Sequence, residues 1–218
     1  MTGDTSSATD GIRYALCESA DVPEVVRLLA RTFAANDPPA VAVGLTPDEL
    51  EAYLARAARG AGSDGLTFVA RDLESGQLAG ALLALDAATP PPSVDGLSPK
   101  FTPVMEIFGQ LDAEIPDASP PAPGRIVNLL MLGVADGFAR RGIAQELVRT
   151  CLANGLRAGY RQATTTATNP VSQHIFRKLG FATRAGVSYG DYRRDGVAVF
   201  ASIADAGGPM TMTRDLRP

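Results

Sequence analysis

The chain has 218 residues, 45% hydrophobic and 20% charged, with a formal net charge of −4 and a pI near 5.0. This is the balance of a globular chain long enough to bury one proper core. The acidity argues against a nucleic-acid partner, which needs a basic patch, and no run of 18 apolar residues or basic-then-apolar leader points to a membrane or export segment. Cys17 and Cys151 lie far apart and read as reduced thiols, so the expected compartment is the cytoplasm. A single histidine, His174, with no cysteine cluster offers no zinc ligand set, and no metal is expected.

Residues 1–10 are small and polar and read as a disordered tail before a single domain spanning 11–218. IRYALCE (12–18) alternates like a strand. A helix follows over 21–35, with Asp21 as N-cap and apolar residues at helical spacing. Asp37-Pro38-Pro39 breaks it, because two prolines cannot continue a helix. Thr46 caps a second helix that carries Pro47 in its first turn and ends at Gly60. LTFVARD (66–72) and LAGALLALD (78–86) are strands around the turn LESGQ. Residues 86–124 are rich in proline, a long insertion with one short helix at 104–115.

IVNLLMLGV (126–134) is a nearly unbroken apolar run, as in a buried strand. ADGFARRGIAQEL (135–147) then leads into a helix whose apolar positions are Ile143, Ala144, Leu147, Val148, Cys151, Leu152 and Leu156. That helix opens at about Gly142. Its first amides are unpaired and its field favours anions, the glycine admits close approach, and Arg140 and Arg141 add positive charge. The junction reads as a phosphate site. QATTTAT (162–168) is a further strand. In NPVSQHIFRKLGF (169–181), Asn169 is the N-cap, Pro170 the first helical residue and Gly180 the stop. VSYGDYRR and VAVFASI flank Asp195-Gly196 and read as a closing β-hairpin.

The element order, with VADGFARRGIAQEL and then NPVSQHIFRKLGF, resembles the GCN5-related N-acetyltransferase (GNAT) superfamily. The resemblance implies an α/β (α+β) fold, a mixed, twisted central sheet of about seven strands flanked by helices. It also implies acetyl-CoA as co-substrate. The superfamily's phosphate loop, Gln/Arg-x-x-Gly-x-Gly/Ala, falls on Ala139-Arg140-Arg141-Gly142-Ile143-Ala144. Ala139 departs from the pattern at the first position. By the same resemblance, Met131, Leu132, Gly133 and Val134 would pair with the pantetheine arm, and Gln145, Asn169, Ser172 and Phe176 would complete the coenzyme contacts.

Within the superfamily the chain is most similar to the insect-type arylalkylamine (dopamine) N-acetyltransferases, through ARTFAANDPP, SQHIFRKLGF and SYGDYRRDGVAVF. The implied acceptor is a small primary amine, lined by Phe33, Asp37, Pro38, Tyr189 and Tyr192 in a pocket built by the 34–45 loop, the insertion and the hairpin. An alkyl amine of pKa about 10.4 is almost wholly protonated at pH 7, so a general base is valuable. Asp37 stands where the similar enzymes carry a glutamate base, with Glu106 the next carboxylate to consider. Phe176 stands where most superfamily members carry a tyrosine acid, whereas Ser172 and Thr168 match hydroxyls of the insect-type group. Each of these residues also has a plain structural reading: Asp37 as a turn former, Ser172 as a helix cap, the tyrosines as core, His174 as an exposed helix position. Other acceptors (a protein N-terminus, an amino acid, a polyamine), a longer acyl group, a non-catalytic acyl-CoA binder and a homodimer all stay open.

Overall fold

A computed structural model describes residues 7–115 and 121–216. Eight strands form one sheet in the order β1-β2-β3-β4-β5-β6-β8-β7. They are β1 Ser7–Thr9, β2 Ile12–Leu16, β3 Phe68–Asp72, β4 Leu78–Asp86, β5 Ile126–Val134, β6 Gln162–Ala167, β7 Ala182–Gly186 and β8 Met210–Asp215. The helices are α1 Val22–Asn36, α2 Pro38–Val43, α3 Pro47–Ala57, α4 Phe101–Ala113, α5 Ile143–Arg157 and α6 Pro170–Lys178. No helix among the described residues is long and apolar enough to cross a membrane.

Strands β1 to β5 form an antiparallel meander, and only β5 and β6 run parallel, joined by α5. β4 is buried over Leu78–Leu85, because helices cover both of its faces. The apolar face of α5 packs with Val127 and Leu129 on one side of the sheet, while α1 and α3 pack with Met131 on the other. Residues 127, 129 and 131 would share a face in a regular strand. The switch comes from a β-bulge: Leu83 pairs with Met131 and Ala84 with Leu129, leaving Leu130 as the extra residue.

That bulge positions the site. Parallel pairing of β5 with β6 covers only Ile126–Asn128 against Gln162–Thr164, and beyond it the two strands part. The buried Thr165 side chain sits at the parting and donates its hydroxyl to the Leu129 carbonyl at 2.9 Å. A V-shaped opening results between the end of β5 and the end of β6.

Several sequence expectations change here. Residues 7–9 form an edge strand on β2, so the tail expected over 1–10 is structured at its end; residues 1–6 lie outside the described residues. The two prolines after Asp37 end α1 but open α2, because Asp37 turns extended (ψ 118°) and caps the new helix. Asp21 holds the N-cap position of α1 without a side-chain cap bond; its carboxylate pairs with Arg71 instead. α3 has the Thr46–Glu49 capping box but stops at Ala57, short of Gly60.

The expected closing hairpin is the main correction. Asp195 and Gly196 do form a turn with positive φ, but only Arg194 and Val197 bridge across it. Its flanks do not alternate between two faces. Tyr189, Tyr192 and Phe200 all bury against Val104 and Ile107 of α4. The last two strands are β7 and β8, on either side of this excursion. The chain returns through Gly208, where a Cβ would stand 1.7 Å from the Val187 carbonyl oxygen, so only glycine fits.

Candidate functional site

The parted strands open a cleft of about 580 Å³. Its walls are the C-terminal halves of β5 and β6, the end of α1, and the first two turns of α6. Leu132, Gly133 and Val134 line it with their edge unpaired on the β6 side, while Met131 faces the α1–α3 core. A free strand edge of this kind takes an extended ligand arm by backbone pairing.

At one end the loop 139–142 leads into α5. Arg140 and Gly142 both adopt positive φ (63° and 78°), and Gly142 is the residue before the first helical turn. No acceptor among the described residues meets the amides of residues 140–145, and α5 has no side-chain cap. Successive free amides at a helix start form an anion cradle. A Cβ on Gly142 would meet nothing within 4 Å, so the space in front of the cradle is open. Ala144 reaches the cleft wall. Arg141 lies over the Phe138 ring at 5.4 Å and donates to the Asp10 carbonyl, while Arg140 has no polar partner among the described residues.

Asp37 sits inside the cleft at the α1–α2 junction. It is 9% exposed; one carboxylate oxygen accepts from the Ala40 amide at 3.2 Å and the other from the Thr168 hydroxyl at 2.6 Å. Burial raises its pKa to about 6, against the lowering effect of those two hydrogen bonds. No other charged side chain lines the cleft among the described residues. Phe33 and Pro38 flank Asp37 on the same wall.

On α6, Asn169 caps the helix by accepting from the Ser172 amide at 2.8 Å, and Ser172 donates its hydroxyl to the Asn169 carbonyl at 2.9 Å. Both line the cleft, as does Phe176, which is 4% exposed and packs edge-on against Phe181 at 5.1 Å. Thr168 points to Asp37 rather than standing free.

The structure therefore brings Phe33, Asp37, Pro38, Thr168, Asn169, Ser172 and Phe176 together in one cleft. It does not bring Tyr189 and Tyr192 to the cleft wall. Tyr189 is fully buried and donates to the Thr168 carbonyl at 2.8 Å; Tyr192 donates to Glu106. Glu106 also pairs with Arg194, and these two contacts hold its pKa below the usual carboxylate range. Glu106 is a poor base in that state. His174 is exposed on α6. Cys17 and Cys151 are free and buried, and burial pushes their thiols up to about 11 and about 12.

Sequence reading missed Thr32, Asn36, Thr165 and Thr166, which also line the cleft. The signals were present: Thr32 and Asn36 lie one turn apart on α1, on the side that carries Phe33 and Asp37, and TTTAT is an unusually hydroxyl-rich strand. Gln173 was missed too. It is buried and donates to the Gly208 carbonyl at 2.9 Å, tying α6 to the returning chain.

A mixed sheet splayed at the β5–β6 parallel pair, with unpaired helix-start amides at one end and a buried carboxylate within, makes up this cleft. The profile of the acetyltransferase (GNAT) family matches residues 43–181, and the chain belongs to that family. Among solved structures, the C-terminal condensation domain of Ebony, in complex with β-alanyl-dopamine, is similar with a TM-score of 0.83 at 18% identity, covering 94% of this chain and 98% of that one. Arylalkylamine N-acetyltransferase 2 from Aedes aegypti has a TM-score of 0.77 at 22% identity, with 95% and 100% covered. A polyamine N-acetyltransferase of Drosophila melanogaster has a TM-score of 0.69 at 16% identity, with 94% and 99% covered. The fold expected from the sequence is the one observed, with eight strands in place of about seven.

Proposed function

We propose that the protein transfers an acetyl group from acetyl-CoA to the primary amine of a small molecule, by direct attack within a ternary complex. When bound, the co-substrate supplies a thioester: the new N–C bond forms as the C–S bond breaks, and the coenzyme leaves as a thiolate. The residues fit that co-substrate. The free amides of 140–145, with Arg140 beside them, suit a pyrophosphate, and the unpaired edge of Leu132–Val134 suits its extended arm.

The observation that carries the reading is Asp37, a carboxylate buried in that same cleft with its pKa raised to about 6. At pH 7 and above it is mostly ionised, and its pKa lies close enough to neutrality to take the amine proton, directly or through one water. Asp37 is one methylene shorter than glutamate, which favours the water route. A thiolate leaving group with a reference pKa of about 8.5 needs little help from an acid, consistent with Phe176 in the cleft wall. Ser172 donates its hydroxyl hydrogen bond to the Asn169 carbonyl, so we assign it to the helix cap. Holding both substrates together makes a covalent enzyme intermediate unnecessary.

Small amine acceptors are supported by the similar structures, whose names include arylalkylamine and polyamine N-acetyltransferases. Two free, buried thiols suit a reducing compartment such as the cytoplasm. The test is a panel of primary amines incubated with acetyl-CoA and the purified protein, with thiol release followed by absorbance and products by mass spectrometry. N-acetylated product from at least one amine class is expected. Binding of acetyl-CoA without turnover on any amine would overturn the enzymatic reading in favour of an acyl-CoA binder.

A further inference from the structure

We propose that Tyr189 is a positioning residue for the reaction: its hydroxyl, donated to the Thr168 carbonyl, holds Thr168 so that the Thr168 hydroxyl stays on Asp37. The inference rests on Asp37 being the base, and adds a residue that touches neither substrate.

Thr168 is the single residue between the end of β6 and the cap of α6, outside both elements. Its carbonyl accepts from Tyr189 at 2.8 Å, and its hydroxyl donates to Asp37 at 2.6 Å. Tyr189 is itself fixed at both ends. Its amide donates to the Gly207 carbonyl at 2.9 Å, and its ring packs with Phe200 at 5.6 Å in the aromatic cluster on α4. Burial, with the Asp37 charge adding to it, raises the phenol far above its ordinary range, so the phenol stays a donor across the working pH. The other titratable groups on the neighbouring elements are Glu24, Arg27 and Arg31 of α1, Glu106 and Asp112 of α4, His174, Arg177 and Lys178 of α6, and Asp205 of the 3-10 turn at 201–206; none of them lines the cleft. The Thr168 hydroxyl is therefore the side chain that favours the ionised form of Asp37, and Tyr189 holds it there.

Tyr189→Phe removes one oxygen and keeps the ring in its cluster. The test titrates the Asp37 carboxyl by carbon-13 NMR, with the signal assigned from Asp37→Asn, alongside kcat/KM against pH. In Tyr189→Phe the Asp37 midpoint is expected to rise by about half a unit or more, because the charged form loses part of its hydrogen bond. The acid limb of kcat/KM follows, with a loss of about threefold or more below pH 6 and no change in acetyl-CoA affinity. Thr168→Val is expected to shift the midpoint the same way, the double variant no further, and Thr168→Ser not at all. A folded Tyr189→Phe protein with the Asp37 midpoint unmoved overturns the proposal. Thr168→Val leaves the aromatic cluster intact, so an unmoved midpoint there overturns it even if Tyr189→Phe does not fold. Failure of the base assignment looks different: the midpoint moves while the acid limb of kcat/KM stays in place.

Discussion

Asp37 and Thr168 are 131 residues apart in sequence, yet the hydroxyl of one meets the carboxylate of the other at 2.6 Å across the cleft. The contact joins the α1–α2 junction to the β6–α6 junction, and so fixes the Asp37 carboxylate relative to the helix opposite. Burial and hydrogen bonding pull the Asp37 pKa in opposite directions, and burial dominates.

Asp37→Asn is expected to lower kcat/KM by about a hundredfold at pH 7 while leaving the acetyl-CoA dissociation constant unchanged. Higher pH recovers part of the loss, because more of the amine is then neutral without help. Stability moves the other way. With its pKa raised from 3.8 to about 6, Asp37 favours the folded state below pH 4, and that contribution is lost as pH rises through 6. Asparagine does not titrate, so relative to wild type the variant gains on the order of 1–3 kcal/mol between pH 4 and pH 8. Urea unfolding at both pH values checks the sign.

Gly142→Val tests the anion cradle. The residue has φ 78°, where a β-branched side chain is strained by at least about 1–2 kcal/mol. The side chain would also occupy the open space in front of the amides. Acetyl-CoA affinity by calorimetry is expected to fall more than tenfold, and in wild type to weaken with added salt as the arginine charge is screened. Gly142→Ala carries much of the strain with less bulk and separates the two effects.

The contrast between α5 and the terminal segment shows what the sequence made legible. Ile143, Leu147, Val148, Cys151 and Leu152 carry a helical period, and Gly142 marks the start, so the helix and the unpaired amides at its start were both readable. Thr46 with Pro47, and Asn169 with Pro170, announced the starts of α3 and α6 in the same way. The β5 bulge was not readable. IVNLLMLGV is apolar on both faces, so nothing in its pattern marks Leu130 as the extra residue, and the cleft depends on that bulge. β7 is short and mostly exposed, without apolar alternation, while the neighbouring aromatic run looked strand-like because it is buried for another reason. Asp37 and Thr168 were each suspected singly. Their contact crosses the whole fold and has no local signal.

Ser172→Ala separates a cap from a catalyst. Ser172 is the third residue of α6 and the second partner of a capping box with Asn169. Losing its side of the box is expected to cost about 1 kcal/mol in unfolding free energy. Turnover is expected to stay within about threefold, since the hydroxyl proton is already committed to the Asn169 carbonyl. A hundredfold loss of kcat with unchanged stability would return Ser172 to the chemistry.

Phe176→Tyr asks whether the departing sulfur needs a proton. Phe176 lies in the cleft wall, 4% exposed, with its ring edge-on to Phe181. A tyrosine there adds a hydroxyl to a ring packed against Phe181, and a buried hydroxyl left unpaired costs on the order of 1–3 kcal/mol. A lower melting temperature is therefore expected. If the thiolate leaves unaided, the added phenol changes kcat/KM by less than about fivefold and creates no new alkaline limb near the tyrosine pKa of about 10. A hundredfold gain, with such a limb, would show that the native cleft lacks an acid its chemistry requires. The protein would then be better read as a binder of acyl-CoA than as a competent transferase, and thiol release across the pH range decides between the two.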